Sequence, residues 1–185
     1  MRDRLRDALD PVPRERFLVY LMGPYKSIDS GSEADGDGDG DDELFDLLVT
    51  LRDRLRTESG VNAFLAVDPE IPLEEVDAAT QSIAFARASN AVVFVLPFSG
   101  ENLGVGIEVG SVLEDVYQSD DPERAERTLV VHEADVRSAM LGGVTRRWDA
   151  TVYDYQDVDE LVFRTKEFVG NVIAREATGS LSSLE

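Results

Sequence analysis

Ala91-Val-Val-Phe-Val-Leu96 is apolar at every position, and shortly beyond it the chain reads Ser99-Gly-Glu-Asn-Leu-Gly-Val-Gly-Ile-Glu-Val-Gly110. A run that is apolar on both alternating faces and rich in β-branched residues is a strand covered from both sides, as in a parallel sheet. Val105, Val109, Val112 and Val116 then recur at helical spacing, which predicts a helix over 105–117 packing on that sheet. Strand, glycine-rich turn and helix make one βα unit.

The same alternation extends in both directions. Further apolar runs lie at 17–22, 61–67, 128–132 and 150–154. Between them, Leu44, Leu47, Leu48, Leu51 and Leu55 form one helical stripe, and 73–88 carries a second helical pattern. The segment 138–147 is short and ambiguous between helix and loop. A final helix over 158–175 turns Leu161, Val162, Phe168, Val169, Val172 and Ile173 inward. Strands alternating with helices through short links predict an α/β fold, a doubly wound sheet of five parallel strands with helices on both faces. The expected organisation is an N-terminal extension over 1–16, one α/β domain over 17–177 and a flexible tail over 178–185. Residues 29–43, with eight acids, four glycines and no base, read as a disordered or solvated loop. Their Asp-Gly-Asp-Gly-Asp pattern lacks the closing glutamate of a calcium loop, so no metal is expected there.

Of 185 residues, 43% are apolar, enough for a real core, while 38 acids against 18 bases give a formal charge of −20. Such a surface repels nucleic-acid phosphates and anionic lipids. Sixteen of the bases are arginines, only Lys26 and Lys166 are lysines, and cysteine is absent. That balance suits a halophilic protein in molar salt, where the Debye length shrinks to about 3 Å and crowded carboxylates are screened. Without cysteine there are no disulfides, zinc ribbons or thiol nucleophiles. The apolar runs are too short to span a membrane and the first residues show no apolar signal core, so a cytoplasmic location is expected.

In an open α/β sheet, ligands bind beyond the carboxyl ends of the strands where strand order reverses. The loops after the first and third strands are therefore the candidates. Gly104, Gly106 and Gly110 lie in or beside the first turns of the predicted helix, each costing roughly 1 kcal/mol there. Close approach of a ligand or a neighbouring backbone is the usual reason for such glycines. Glu108 falls about 60° from the valine stripe, one turn into the helix, near the positive end of its dipole. A partly desolvated carboxylate at that point suits a nucleophile or base, and it equally suits a residue that only complements its own helix terminus. No Walker motif, Gly-x-Ser-x-Gly elbow or Gly-x-Gly-x-x-Gly turn after the first strand is present.

The block Asn102-Leu-Gly-Val-Gly-Ile-Glu-Val-Gly110 after an apolar strand resembles the signature of the nucleoside 2-deoxyribosyltransferase superfamily, which includes the 2′-deoxynucleoside 5′-monophosphate N-glycosidases. Tyr20-Leu-Met-Gly-Pro-Tyr25 resembles its first-strand motif, and the likeness covers roughly residues 17–135. The resemblance implies a flavodoxin-like sheet, no cofactor, and a homodimer or higher homo-oligomer with composite sites. It also implies a small-molecule nucleoside or nucleotide as partner. Glu108 then matches the catalytic glutamate that attacks the anomeric carbon, and Tyr20 the tyrosine that helps hold it. Gly23, Pro24, Tyr25 and Lys26 match the sugar- or phosphate-side loop, with Gly104 and Gly106 in the substrate-binding turn. Two positions depart from the family: Ser82 and Asn102 stand where aspartates are usual. The hydrolase branch accepts a polar neutral residue at the second position, whereas at the first the expected general acid is missing. Asp77 reaches the site only if its helix is shifted. The expected activity is N-glycosidic hydrolysis of nucleoside monophosphates, or deoxyribosyl transfer, through Glu108. The alternative is a catalytically altered member that binds a nucleotide.

The single histidine, His132, ends the fourth strand and reads as bonded to its neighbours. Trp148 beside Arg146 and Arg147 reads as the edge of the core, and Tyr153 and Tyr155 as covering the last strand.

Overall fold

The computed structural model describes residues 1–23, 39–71, 77–97, 103–119, 121, 123–134, 136 and 139–184, without the side chains of 39–42, 103–108, 139–140 and 142. Five strands, β1 (Arg14–Met22), β2 (Val61–Leu65), β3 (Ala91–Leu96), β4 (Thr128–Glu133) and β5 (Thr151–Tyr155), form one sheet in the order β2-β1-β3-β4-β5. Every pairing is parallel. The chain winds outward from β1 to β2, returns across β1 to β3, and winds outward again. This is the flavodoxin-like order, and its reversal lies between β1 and β3.

Each strand is apolar throughout because both faces are covered. On one face, Val19, Leu21, Val93, Val95 and Val131 pack beneath α2 (Asp39–Arg54) and α7 (Val158–Ala177). On the other, Leu18, Tyr20, Phe64, Phe94 and Val130 pack beneath α1 (Arg2–Ala8), α3 (Ala78–Ala88), α4 (Leu103–Gln118) and α6 (Ala139–Trp148). A short α5 (Glu123–Glu126) precedes β4. The ambiguous segment at 138–147 is therefore a helix.

Several boundaries differ from the sequence reading. Most of the acidic segment 29–43 lies outside the described residues, but from Asp39 onward it is the first turn of α2 rather than a loop. α2 ends in a π-helical turn (Leu55–Ser59) closed by Gly60 at φ +65°, where a Cβ would also meet Pro13 at 3.2 Å. α3 begins at Ala78, not at 73, because Asp77 caps it. The first strand starts at Arg14, ahead of the apolar run. Within residues 1–16, α1 buries Leu5 and Leu9 in the second core, so the stretch packs on the sheet. Within residues 178–184, Leu181 is buried against the first core, and the Ser182 amide donates to Glu123 at 2.7 Å.

At the N-terminal edge of the sheet, Asn90 Oδ1 accepts from the Leu18 amide at 3.0 Å and from Arg2 at 2.8 Å. Its Nδ2 donates to Glu176 at 2.9 Å. Buried Arg127 donates to Glu176 and to the Ser182 carbonyl. Arg2 and Arg124 donate to carbonyls at the end of α3, satisfying acceptors that a helix leaves open.

Candidate functional site

The strand-order reversal lies between β1, which ends at Met22, and β3, which ends at Leu96. Gly23 leaves β1 through a gap in which a Cβ would stand 2.9 Å from both terminal carbons of Leu48 and 3.3 Å from the Val95 carbonyl oxygen. A side chain there would push the Leu48 terminus aside and crowd the Val95 carbonyl, so the packing of α2 and β3 favours glycine at this position. Pro24, Tyr25, Lys26 and Asn102 lie outside the described residues.

Two of the expected site residues meet. The Tyr20 hydroxyl donates to Ser82 Oγ at 3.3 Å, with both side chains buried. Parallel pairing opposes Tyr20 to Phe64 of β2, and the rings stack at 5.2 Å with an interplanar angle of 18°. Phe85, three residues after Ser82 on α3, meets Tyr20 and Phe64 edge-on at 5.5 and 5.7 Å. The three rings fix the phenol, since edge-to-face and offset pairs are favoured geometries. A serine hydroxyl that accepts one bond still carries its own proton to donate. Gln81, beside Ser82, is buried as well, and its Nε2 has no hydrogen-bond partner among the described residues.

Asp77 caps α3. Its carboxylate accepts from the Thr80 amide at 2.9 Å and from the Thr80 hydroxyl at 2.7 Å, bonds that hold its pKa below the ordinary aspartate value. After β2, Asp68 accepts from the Leu65 amide and pairs with Arg52 and Arg56. Both carboxylates are committed to the scaffold.

α4 carries Gly104, Gly106 and Glu108 in its first turns, with the Glu108 side chain outside the description. Val109, Val112 and Leu113 are buried and Val116 partly so, in line with the predicted stripe and adding Leu113 to it. At Gly110, nothing among the described residues lies within 4 Å of a Cβ built there, so no described neighbour requires the glycine.

A family model described as a domain of unknown function (DUF7509) matches residues 2–35 and 31–185. The chain belongs to the DUF7509 family. No curated protein matches it. Among solved structures, this DUF7509 chain is similar to the SEFIR domain of IL-17 receptor B, with 16% identity, a TM-score of 0.52, and 84% of this chain and 96% of that one covered. A metal-soaked flavodiiron core from Synechocystis sp. matches at 13% identity with a TM-score of 0.46, over 89% of this chain and 37% of that one. A flavodoxin-like domain from Synechococcus sp. gives 12% identity and a TM-score of 0.46, covering 86% and 99%. At these identities the likeness is one of fold.

Elsewhere in the DUF7509 chain, His132 Nδ1 lies 2.9 Å from the Glu133 carbonyl, as its strand-end position suggested. Trp148 packs against the second core while the Arg147 guanidinium stands 5.5 Å from its ring. Tyr155 does more than cover the edge: it is buried in the first core, and burial with the nearby Glu133 charge pushes its pKa up to about 12. Among the described residues, no group of three acids or histidines could hold a metal ion, and no helix is long and apolar enough to cross a membrane.

Proposed function

We propose that this protein binds a nucleoside or nucleoside 5′-monophosphate beyond β1 and β3 and hydrolyses its N-glycosidic bond with Glu108 as nucleophile. The observation that supports this reading is the Tyr20–Ser82 hydrogen bond, which joins two separated positions of the family-like pattern beneath the strand-order reversal. In the proposed reaction the Glu108 carboxylate forms a bond to the anomeric carbon as the carbon–nitrogen bond breaks, and the departing base takes up a proton. Water then attacks the same carbon, releases the sugar and regenerates the carboxylate. The resemblance of Gly23, Pro24, Tyr25 and Lys26 to the phosphate-side loop favours a monophosphate. A homodimer in the cytoplasm of a halophile is the setting proposed with it.

One observation favours binding without turnover. Ser82 occupies the usual position of an acid, and Asp77 is turned to the start of α3. The deciding experiment follows free base by chromatography from a panel of nucleosides and 5′-monophosphates in about 2–3 M KCl, where surface charge is screened. Base release that disappears in Glu108→Ala supports the hydrolase. Release that persists in Glu108→Ala contradicts it, and saturable binding without release supports the binding module.

A further inference from the structure

At the opposite edge of the sheet, where β1 begins, a cleft of about 430 Å³ is lined by Arg2, Arg6, Arg14 and Arg16, with Phe17 and Leu184 as apolar wall. Four of the sixteen arginines thus converge on one cleft in a chain of formal charge −20. Two acids also line it, and one of them, Glu176, is already engaged by Arg127 and Asn90. Exposed Asp3 also pairs with Arg6 at 3.5 Å, and positive charge remains in excess at the cleft, against the sign of the whole molecule.

The cluster is assembled at a cost. Arg2 and Arg6 stand one turn apart on α1, a spacing at which like charges repel. Burial, followed by the Arg6 charge, holds the Arg2 guanidinium below the ordinary arginine range. The Nε atoms of Arg2 and Arg6 are both buried without a hydrogen-bond partner among the described residues. Arg2 spends its other nitrogens on the Ala88 and Arg16 carbonyls and on Asn90. Arg14 donates to the Ser59 carbonyl. Those bonds fix two guanidinium groups at the cleft wall, so part of the ordering cost of binding is met in advance.

We propose that this cleft is an anion-binding site that takes a phosphate group, either free or carried on a small molecule. Guanidinium groups present planar forks of donors that match phosphate oxygens, and an anion between Arg2 and Arg6 would turn their mutual repulsion into attraction. The volume lies in the usual range for small-molecule sites. The apolar wall offers room for an organic group attached to the phosphate. The site is separate from the crevice beyond β1 and β3 and does not depend on the function proposed for it.

The test is thermal unfolding of the full chain at fixed ionic strength in KCl, titrated with inorganic phosphate and, separately, with phenyl phosphate. A ligand that binds only the folded state raises Tm saturably. Arg6→Gln and Arg16→Gln are the variants of choice, because neither side chain holds a backbone carbonyl among the described hydrogen bonds. Without ligand, Arg16→Gln is expected to unfold as wild type does and Arg6→Gln, which relieves the like-charge pair, no more readily; each is expected to bind phosphate about tenfold more weakly, the loss of one charged hydrogen bond. Tighter binding of phenyl phosphate than of phosphate assigns the site to a phosphorylated small molecule, and equal binding assigns it to free phosphate. No saturable rise in wild type, or a rise unchanged in both variants, overturns the proposal.

Discussion

On the face of the sheet covered by α2 and α7, the buried side chains are mostly aliphatic, from Leu48 and Leu51 to Val169 and Val172. The face covered by α1, α3, α4 and α6 instead holds Tyr20, Phe64, Phe85 and Phe94, with Gln81 and Ser82 buried on α3. The first face buries one aromatic hydroxyl, that of Tyr155, without a partner among the described residues. The second buries the Tyr20–Ser82 hydroxyl pair and the Gln81 amide, whose Nε2 has no partner among the described residues, and each such group costs free energy to bury. The two faces thus differ mainly in the aromatic and polar groups they bury, and the proposed chemistry at the strand-order reversal draws on the side of α3 and α4.

Substitutions on the two faces should therefore separate stability from ligand handling. Leu51→Ala, at a fully buried position on the inner side of α2, is expected to lower unfolding free energy by about 2–5 kcal/mol in a denaturant melt and to leave ligand affinity unchanged. Tyr20→Phe keeps the ring stack and removes the hydrogen bond to Ser82. It should cost only about 0.5–1.5 kcal/mol in the same melt, yet reduce base release or ligand binding more than Leu51→Ala does. A variant pair that reversed this order would break the distinction between the faces.

The first face also makes a pH prediction. A tyrosine raised to about 12 in the folded state ionises near its ordinary value when unfolded. The folded state thus binds more protons between about 10 and 12, so stability present below pH 10 is lost as pH rises through that window. Melting curves in that range should fall more steeply for wild type than for Tyr155→Phe. The smallest effect is expected from Asp77→Ala, which removes the cap of α3 and should lower Tm slightly, with base release retained. Loss of release with an unchanged melt would instead make Asp77 the acid.

The strands that were legible in the sequence are those whose burial is two-sided, such as Ala91–Leu96. The start of β1 was hidden because Arg14, Glu15 and Arg16 are exposed and carry no apolar signal. α1 was missed for a similar reason. Five of its seven residues are charged, and its docking rests on Leu5 with Leu9 just beyond. The anchored tail depends on the single buried Leu181, which composition cannot single out. At the candidate site, Tyr20 and Ser82 were readable from motif positions, but their contact and the orphaned Gln81 amide arise only when α3 is laid on β1. Asp77 could have been read more fully, since Asp77 followed by Thr80 just ahead of Gln81 and Ser82 is itself a capping pattern.

The most direct test of the central claim is calorimetric titration of Glu108→Ala, in which turnover is blocked, with a nucleoside 5′-monophosphate in about 2–3 M KCl, repeated with Tyr20→Phe added. The account predicts saturable binding that the Tyr20 change weakens. Absence of binding, or binding indifferent to Tyr20, would contradict it.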